Sequence, residues 1–564
     1  MRTGVYVCHC GRNIAGTVDV VGVAEFARSL PGVAVVRDYR YVCSDPGQEL
    51  IRNDIEEYGL DRVIIAACSP TMHQAAFMNN VEKAGLNPYR LERANIREQC
   101  SWVHADMKDG TVKAKALLTA ALAKAALAQP LVSGEVPVTP AALVIGGGIA
   151  GIQAALDLGD AGFKVYLVEK ENSLGGHMAQ LNLTFPGMDS AGRMVLSRLE
   201  RVKNQSNIEV LTSSEVVEVE GYVGNFKARV RRAGGGETEL GVGAIVVATG
   251  YEVFDARLKP ELGYGVYPEV ITTLDLERLS RDDGPTGGRI EINGREPKNV
   301  VFIKCVGSRD KSVGVEYCSR VCCMTVAKQA LYIRDKIPDA KITVCYIDVR
   351  TFGKGHEEFY ETVQGRGVLY RRGTVSEVGR QGDRLVVRAE DTLLGEMYEE
   401  EADLVVLAVG LWPAAGTSGL AKTLRISTGS DGFFLEAHPK LGPVETTTDG
   451  IVLAGCCVGP KDITDAVSEG HAAAVKASVP LFLGRVKKEP LVACIDEEVC
   501  AGCRLCENAC EYAALVFDER RQVMTVNDAL CRGCGACSAI CPSGANQVKN
   551  TTKKQIFVML AELV

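Results

Sequence analysis

The most specifically spaced residues in this chain are eight cysteines near its C-terminus. They form two successive C-x2-C-x2-C-x3-C runs, at Cys500, Cys503, Cys506 and Cys510 and at Cys531, Cys534, Cys537 and Cys541. Two-cluster bacterial ferredoxins hold a pair of [4Fe–4S] clusters on this spacing, and the last cysteine of each run binds the other cluster. We therefore predict that Cys541 completes the first cluster and Cys510 the second. Two zinc sites of four cysteines each are the alternative, which the repeated spacing disfavours.

A glycine-rich turn of the form G-x-G-x-x-G gives the second signal. Gly146–Gly151 joins an apolar strand at 143–145 to a helix at 152–158, and the strand that follows ends at Glu169. This β-turn-α-β context is typical of dinucleotide binding. The first glycine permits the tight turn, and Gly148 lets a pyrophosphate approach the N-terminus of the helix. Glu169 is expected to bind a ribose hydroxyl.

Two later segments favour FAD over NAD as the dinucleotide. Residues 245–250 and 447–455 resemble the returning strand and the late FAD motif of two-dinucleotide flavoproteins such as thioredoxin reductase. Cys456 stands where those relatives carry an aspartate, which leaves the ribityl contact open. His177 lies near the isoalloxazine ring or is a packed structural histidine. We predict FAD contacts from Gly146, Gly148, Ile149, Ala150, Gly151, Glu169, Lys170, Gly175, Gly176, His177, Ala248, Thr249, Gly250, Gly455, Cys456, Lys461 and Asp462.

Cysteines replace the second glycine-rich turn that a pyridine-nucleotide reductase would need. The expected strand is present at 299–303, but Cys305 follows it, and Cys318, Cys322 and Cys323 come next. Cys318 and Cys322 are four positions apart, so on one helix they share a face. We predict that these four thiolates bind a third [4Fe–4S] cluster beside the flavin. A vicinal disulfide or packed core cysteines are the alternatives.

Four cysteines in the N-terminal region predict a fourth cluster. Cys8, Cys10, Cys43 and Cys68 each follow a strand or lie in a turn near one. Strand ends on one edge of a sheet converge, so these thiolates can share a [4Fe–4S] cluster. His9 is a further candidate ligand, and structural cysteines are the alternative.

Three domains would position these residues. Residues 1–135 alternate short strands with helices and include an alanine-rich helical run at 111–129. Residues 136–486 alternate β and α patterns as in a doubly wound fold, and residues 487–564 carry the cysteine repeat. We predict an α/β protein with three parts. They are an N-terminal α/β cluster-binding domain with a linker helix, a thioredoxin-reductase-like two-dinucleotide-binding flavoprotein core, and a bacterial 2[4Fe–4S] ferredoxin domain.

Composition excludes several classes of function. The chain has 564 residues, of which 46% are hydrophobic and 24% charged, as in ordinary globular proteins. Its net charge of −8 disfavours nucleic-acid binding. The start of the sequence has no secretory pattern, and the 21 cysteines of so long a chain favour metal ligation in a reducing compartment over disulfides. The most apolar helical stretch, 114–127, carries two lysines, so we expect a cytoplasmic protein without a transmembrane segment.

Seven short segments together are typical of one known family: Asn95–Trp102, Gly146–Gly151, Gly175–Gln180, Cys305–Asp310, Cys318–Cys323, Phe352–Gly355 and Gly459–Asp462. With these motifs the chain resembles, over nearly its whole length, the HdrA family, the flavin-bearing iron–sulfur subunits of CoB–CoM heterodisulfide reductase. The resemblance implies FAD-based electron bifurcation, in which an electron pair is split between two acceptors of different potential. It also implies clusters at the N-terminal and flavin-side cysteine sets.

The family also suggests a catalytic lysine and a set of partners. It aligns a lysine at Lys328 near flavin N5, whereas a solvated surface lysine is the alternative. The implied partners are ferredoxin and the redox subunits of a larger complex. Those subunits are heterodisulfide-reductase B- and C-like proteins, a hydrogenase, a formate dehydrogenase or an NADH module. A homodimer is left open.

The chain departs from the family in two places. Members often carry an inserted two-cluster ferredoxin domain between the strands at 226–232 and 244–248, where this chain has only 233–242. It also lacks the cysteines that the family often shows after the Phe-Pro motif, here at 185–192. One electron exit would then be missing. Three other functions stay open: a non-bifurcating electron wire of a quinone-interacting or aromatic-ring-reducing complex, an NAD(P)H-dependent flavin reductase feeding ferredoxin, and a scaffold with structural FAD.

Overall fold

The computed structural model describes residues 1–563 and divides them into two compact units. One unit consists of Met1–Glu135 together with Lys487–Val564, and the other is Val136–Val486. The three domains assigned from the sequence stay a prediction. Within the described residues, no helix combines the length and the apolar character that crossing a membrane requires.

The N-terminal part of the first unit is a parallel four-stranded sheet in the order β2-β1-β3-β4. The strands are β1 (Thr3–Cys8), β2 (Val33–Tyr39), β3 (Arg62–Ala67) and β4 (Leu91–Asn95). The helices are α1 (Arg12–Ala15), α2 (Val20–Arg28), α3 (Asp45–Tyr58), α4 (Gln74–Lys83) and α5 (Met107–Ala126), and a π-helix spans Arg97–Ser101. Because the strands are parallel, their carboxyl ends, which carry the predicted cysteine ligands, lie at one edge of the sheet.

The second unit contains two parallel five-stranded sheets, as the alternating β and α pattern predicts. Their orders are β23-β12-β6-β7-β8 and β14-β21-β15-β16-β17. The unit also contains two three-stranded antiparallel sheets, β11-β10-β9 and β18-β19-β20, and the pair β13-β22, and the pair β24-β5 lies where the unit begins and ends. Glycines 234–236 form the predicted hairpin turn between β10 and β11, in the region where related chains often carry the inserted ferredoxin domain.

The bounds of the elements from residue 135 to residue 487 follow in chain order. The strands are β5 (Glu135–Pro137), β6 (Ala141–Ile145), β7 (Lys164–Val168), β8 (Ile208–Leu211), β9 (Ser214–Tyr222), β10 (Asn225–Arg232), β11 (Glu237–Val242), β12 (Ala244–Val247), β13 (Tyr251–Val253), β14 (Val270–Thr272), β15 (Asn299–Val306), β16 (Lys341–Tyr346), β17 (Leu369–Arg372), β18 (Val375–Gln381), β19 (Arg384–Asp391), β20 (Glu396–Ala402), β21 (Leu404–Val409), β22 (Leu411–Pro413), β23 (Ile451–Leu453) and β24 (Arg485–Lys487). The α-helices are α6 (Ile149–Asp160), α7 (Ala191–Asn204), α8 (Thr273–Ser280), α9 (Cys322–Lys336), α10 (His356–Gly365), α11 (Thr417–Leu424) and α12 (Ile463–Leu483).

The C-terminal part of the first unit is small and rich in turns. Its elements are β25 (Ala493–Ile495), α13 (Leu505–Asn508), β26 (Leu515–Asp518), β27 (Val523–Val526), α14 (Ala536–Ile540), β28 (Asn546–Val548) and α15 (Lys553–Ala561). The strands form two antiparallel pairs, β25-β28 and β26-β27. Helix α15 packs against α5, and Asn550 exchanges hydrogen bonds of 2.9 Å with the backbone N–H and carbonyl of Gln129. The two ends of the chain therefore form one unit.

Candidate cofactor sites

The glycine-rich turn lies between β6 and α6 and leaves a gap at the N-terminus of the helix. Gly146 has φ +108°, and a Cβ atom there would collide with the carbonyl oxygen of Ala248. A Cβ at Gly151 would collide with the carbonyl oxygen of Gly146. At Gly148, by contrast, a Cβ would meet no heavy atom within 4 Å. This open face at a helix N-terminus fits a pyrophosphate, whose charge the helix dipole stabilises.

Glu169 follows β7 and holds the turn in place. The residue is buried, and its carboxylate accepts hydrogen bonds from the backbone N–H of Gly147 at 2.6 Å and of Glu171 at 2.8 Å. The side chain also lines the cavity described next. That it binds a ribose hydroxyl stays a prediction.

A cavity of about 580 Å³ runs from the glycine-rich turn to α9, a size typical of cofactor pockets. The predicted FAD contacts that line it are Gly146, Gly148, Ile149, Ala150, Glu169, Lys170, Gly176, His177, Ala248, Thr249, Gly250, Cys456, Lys461 and Asp462. Gly151, Gly175 and Gly455 are not part of the lining. Gly455 instead permits close packing, because its added Cβ would lie 2.8 Å from the Cβ of Ala150. Residues far apart in sequence therefore converge around one elongated space.

His177 is packed and also lines the cavity, so the two sequence interpretations are compatible. Its ring stacks on that of Tyr251 with centroids 4.2 Å apart and 13° between the planes. Burial lowers the pKa of His177, which favours the neutral imidazole. Tyr251 was missed from the sequence, although it directly follows the predicted contact Gly250.

Lys328 is buried in the cavity wall, so the interpretation as a solvated surface lysine is wrong. It lies on α9, and its Nζ contacts a carboxylate oxygen of Glu277 at 2.7 Å and the carbonyl oxygen of Leu183 at 2.7 Å. The side chains of Lys328 and Glu277 are each 4% exposed. Glu277 also accepts hydrogen bonds from Gln329 at 2.6 Å and from the backbone N–H of Asn182 at 2.9 Å. Sequence reasoning missed Glu277, which lies on α8 and has no motif of its own.

The thiols of Cys305, Cys318, Cys322 and Cys323 converge, but not as the helical spacing predicted. Helix α9 begins at Cys322, so the prediction that Cys318 lies on the same helix is wrong. Cys318 lies in the preceding loop, where Arg320 has φ +61° and cannot continue a helix. Burial raises the pKa of Cys322 most, and the neighbouring thiols of Cys305, Cys323 and Cys318 raise it further. Because Cys322 also lines the cavity, this four-thiol set adjoins the predicted flavin site.

The N-terminal cysteines lie together at the carboxyl edge of the first sheet. Cys8 ends β1, and Cys43 and Cys68 follow β2 and β3. Burial raises the pKa of Cys8, with smaller effects of Cys10 and Cys43, and Cys68 and Cys10 raise that of Cys43 in addition to burial. The four thiols are thus close enough to influence one another. His9 instead contacts the Asp38 carboxylate at 3.0 Å.

The cysteines of the C-terminal runs group in the crossed pattern. Burial raises the pKa of Cys506, and the nearby Cys541 and Cys503 act in the same direction. Burial also raises the pKa of Cys537 to about 11, with contributions from Cys531, Cys510 and Cys534. The latter four cysteines line one small cavity, which brings Cys510 to the second run.

All 21 cysteines are free thiols in the part of the chain that the structure describes. In residues 1–563, no three His, Cys, Asp or Glu side chains are arranged to hold a single metal ion. The predicted centres are of another kind, since each thiolate of a [4Fe–4S] cluster binds its own iron atom. Which cysteines bind the clusters, and how many clusters there are, stay predictions.

The two parallel sheets and the paired cysteine runs define an iron–sulfur flavoprotein with a thioredoxin-reductase-like core. Residues 140–470 match the model of the pyridine nucleotide-disulphide oxidoreductase family, and residues 499–545 match that of the 4Fe-4S dicluster domain. These families imply FAD and [4Fe–4S] clusters as cofactors. The fold is also similar to thioredoxin reductase from T. acidophilum, with a TM-score of 0.43, 18% identity, and coverage of 60% of this chain and 98% of that one.

Relatives that match almost the whole chain specify the family further. The chain is 46% identical to an HdrA-type "CoB--CoM heterodisulfide reductase iron-sulfur subunit" of Methanopyrus kandleri, with 92% of each chain covered. It is 43% identical to the corresponding iron–sulfur subunit of Methanocaldococcus jannaschii, with 99% of this chain and 97% of the relative covered. The chain belongs to the HdrA family of CoB–CoM heterodisulfide reductase iron–sulfur subunits. It is thus an oxidoreductase subunit that transfers electrons through flavin and iron–sulfur centres.

The length of the alignments agrees with the expectation that this chain is shorter than many family members. The alignment with a second Methanopyrus kandleri relative, 43% identical, extends over 653 positions, although the whole chain has 564 residues. That relative therefore contains residues for which this chain has no counterpart.

Proposed function

We propose that this chain is the FAD-bearing hub of a heterodisulfide-reductase-like complex, where an electron pair is split or two single electrons are recombined. One observation supports this most directly. The cavity that begins at the glycine-rich turn also has Cys322 in its wall, so a flavin and a cluster ligand would share one space. Electron transfer between them would then need no diffusing carrier.

Different residues around the cavity would bind different parts of the cofactor. FAD, when bound, can exchange electrons both in pairs and singly, which is the chemistry that a bifurcating hub needs. The open face at Gly148 and the N-terminus of α6 would hold its pyrophosphate, and Glu169 its ribose. The buried Lys328–Glu277 pair would place one fixed cation and one carboxylate beside the ring.

The remaining sites would connect this hub to its surroundings. We propose about four [4Fe–4S] clusters: two in the C-terminal runs, one at Cys305, Cys318, Cys322 and Cys323, and one at Cys8, Cys10, Cys43 and Cys68. The C-terminal pair would be an electron port for another protein. Relatives are named as parts of an "H(2):CoB-CoM heterodisulfide,ferredoxin reductase" and of a "Ferredoxin:CoB-CoM heterodisulfide reductase". Accordingly, ferredoxin and further redox subunits in the cytoplasm are the partners that we propose.

A non-bifurcating electron wire is the second candidate, and the short β10–β11 hairpin favours it. Where family members often carry two more clusters, only residues 233–236 connect these strands. A complex with one exit fewer could pass electrons along a single route.

Anaerobic analysis of the purified protein tests the proposal. We expect one FAD and about 16 iron and 16 sulfide atoms per chain, from four clusters of four. Reduced ferredoxin should reduce the flavin, whereas NADH alone should not, because cysteines occupy the place of the second glycine-rich turn. In a Cys322→Ser variant, FAD should remain bound, but reduced ferredoxin should reduce it more slowly. Iron far below 16 atoms, or rapid flavin bleaching by NADH, would contradict the proposal.

The hub and the wire differ in the yield of low-potential product. With an electron-pair donor and a high-potential acceptor present, a hub reduces ferredoxin only while the high-potential acceptor is being consumed. A wire reduces one acceptor irrespective of the other. Strict coupling of the two reductions therefore supports the hub, and their independence supports the wire.

A further inference from the structure

Arg93 lies on β4 beside the N-terminal cysteines and is almost fully enclosed. It is 7% exposed, and its guanidinium group lies over the ring of Phe77, 4.8 Å from the centroid. One terminal nitrogen, Nη2, donates to the carbonyl oxygen of Cys68 at 2.8 Å and lies 3.5 Å from the Sγ of the same cysteine. Nη1 donates to the carbonyl oxygen of Met72 at 3.2 Å. The group is thus held firmly against a predicted cluster ligand.

The charge of Arg93 has no carboxylate to balance it among residues 1–563. The side-chain hydrogen bonds of its terminal nitrogens go to carbonyl oxygens, to the Gln74 amide and to sulfur, and its Nε has no partner. A buried cation without a counter-charge is strongly unfavourable, and arginine stays protonated in proteins. The site that it faces must therefore carry negative charge.

A second arginine at the same site provides an internal contrast. Nη1 of Arg97 lies 3.4 Å from the Sγ of Cys10, on the other side of the cysteine set. However, Arg97 is paired with Glu98 through Nη2 at 2.7 Å and Nε at 3.0 Å. The charge of Arg97 is therefore balanced by a carboxylate, whereas the charge of Arg93 faces the cysteine thiolates.

We propose that Arg93 is the built-in counter-charge of the N-terminal [4Fe–4S] site and raises the reduction potential of that cluster. This rests on the proposed function, because it requires a cluster at Cys8, Cys10, Cys43 and Cys68. Reduction adds one electron from a one-electron donor to the cluster and changes no bond. The added negative charge forms beside a fixed, enclosed cation, which stabilises the reduced state more than the oxidised one.

The contacts to two C-terminal cysteines are of another kind. The hydrogen bonds to Cys510 and Cys531 come from the backbone N–H groups of Ala514, Ala493 and Gly533. These groups carry partial charges only. The contact of Cys68 with Arg93, by contrast, brings a full, enclosed charge to the N-terminal site.

The test is a potentiometric titration of the whole protein under anaerobic conditions, followed by electron paramagnetic resonance. A Cys43→Ser variant first identifies which transition belongs to the N-terminal site. In Arg93→Met, we expect this transition to move to lower potential by at least a tenfold change in the one-electron equilibrium constant, about 59 mV. The other transitions should not move. Arg93→Lys keeps the charge and should shift the transition by less than half as much.

Arg97→Met/Glu98→Gln is the matched control, because it removes a contact to sulfur and the paired carboxylate together and so leaves the net charge unchanged. It should shift the transition by less than half as much as Arg93→Met. If Arg93→Met does not fold, Arg93→Gln replaces it, with the same expected shift. An unmoved transition in a charge-removing variant with full iron content would overturn the proposal, as would an equal shift in Arg97→Met/Glu98→Gln. If Cys43→Ser has the iron content and titration of the wild type, the N-terminal site holds no cluster, and the proposed function fails at that site as well.

Discussion

Replacing Lys328 with methionine should destabilise the flavin-binding unit substantially. Lys328 and Glu277 are 2.7 Å apart, and their side chains are each 4% exposed. Removing one partner of a buried ion pair costs about 3–5 kcal/mol, because the other charge remains buried alone. Glu277 would keep its hydrogen bonds from Gln329 and from the backbone of Asn182, so we expect the lower end, about 3 kcal/mol.

A double variant separates the charge effect from the loss of packing. In Lys328→Met/Glu277→Gln neither charge remains, and the single carbonyl oxygen of the glutamine can accept one of the two hydrogen bonds, from Gln329 or from the backbone of Asn182. We therefore expect the double variant to be more stable than Lys328→Met. A cost of about 3 kcal/mol in the single variant corresponds to a change of roughly 100-fold in the unfolding equilibrium.

Urea unfolding followed by flavin fluorescence measures both quantities, because the flavin reports on the unit that contains the cavity. The same preparations give the FAD content, which should remain at one per chain. An anaerobic redox titration should then show a change in the two one-electron potentials of the flavin. A Lys328→Met protein as stable as the wild type, or a double variant less stable than Lys328→Met, would refute the ion-pair reasoning. Unchanged flavin potentials would remove Lys328 from the redox mechanism.

Three further predictions concern the other parts of the second unit. Gly148→Val should lower the FAD content at least tenfold without unfolding the protein, because the valine side chain would fill the open face at the helix N-terminus. The control Gly241→Val, in an exposed strand, should keep FAD. The FAD content of both purified variants is measured, and equal contents would contradict the placement of the pyrophosphate at Gly148. Cys322→Ser should lose about four iron atoms per chain. Cys345, which is also buried but is hydrogen-bonded to Tyr398, is the control, and Cys345→Ser should lose none. Iron analysis measures both contents, and equal losses would argue against a flavin-side cluster. Burial raises the pKa of Glu469 above its ordinary value of 4.5, so its contribution to stability is complete below pH 4.5 and is lost as the pH rises through the raised value. As the pH rises through this range, the free energy of unfolding of the wild type should therefore fall relative to that of Glu469→Gln. Urea unfolding at several pH values measures both, and a difference that does not change with pH would contradict the prediction.

The sequence predicted those parts of the structure that depend on local patterns. The glycine-rich turn was recognisable because its glycines, the flanking strand and the helix are all contiguous. The gathering of the N-terminal cysteines followed from a topological rule, since carboxyl ends of parallel strands meet at one edge. Cys8, Cys43 and Cys68 occupy such positions after β1, β2 and β3.

The parts that were missed depend on contacts between distant segments. Glu277 faces Lys328 only because α8 and α9 pack together, and nothing in the sequence near either residue indicates it. The position of Cys318 was wrong for a local reason. The spacing of Cys318 from Cys322 suits a helix, but Arg320 between them has a positive φ, which a helix does not allow. Because arginine rarely adopts a positive φ, the sequence does not indicate this conformation.

The pairing of α15 with α5 has a consequence for biosynthesis. Helix α5 leaves the ribosome more than 400 residues before α15, since these helices end and begin at Ala126 and Lys553. At about 5–20 residues per second, the interval is roughly 20 to 90 seconds. During this time the part of α5 that later packs against α15 stays without this partner, while the whole flavin-binding unit is being translated. Nascent chains arrested before residue 553 should therefore recruit chaperones at α5, and assembly of the first unit should be the last step of maturation.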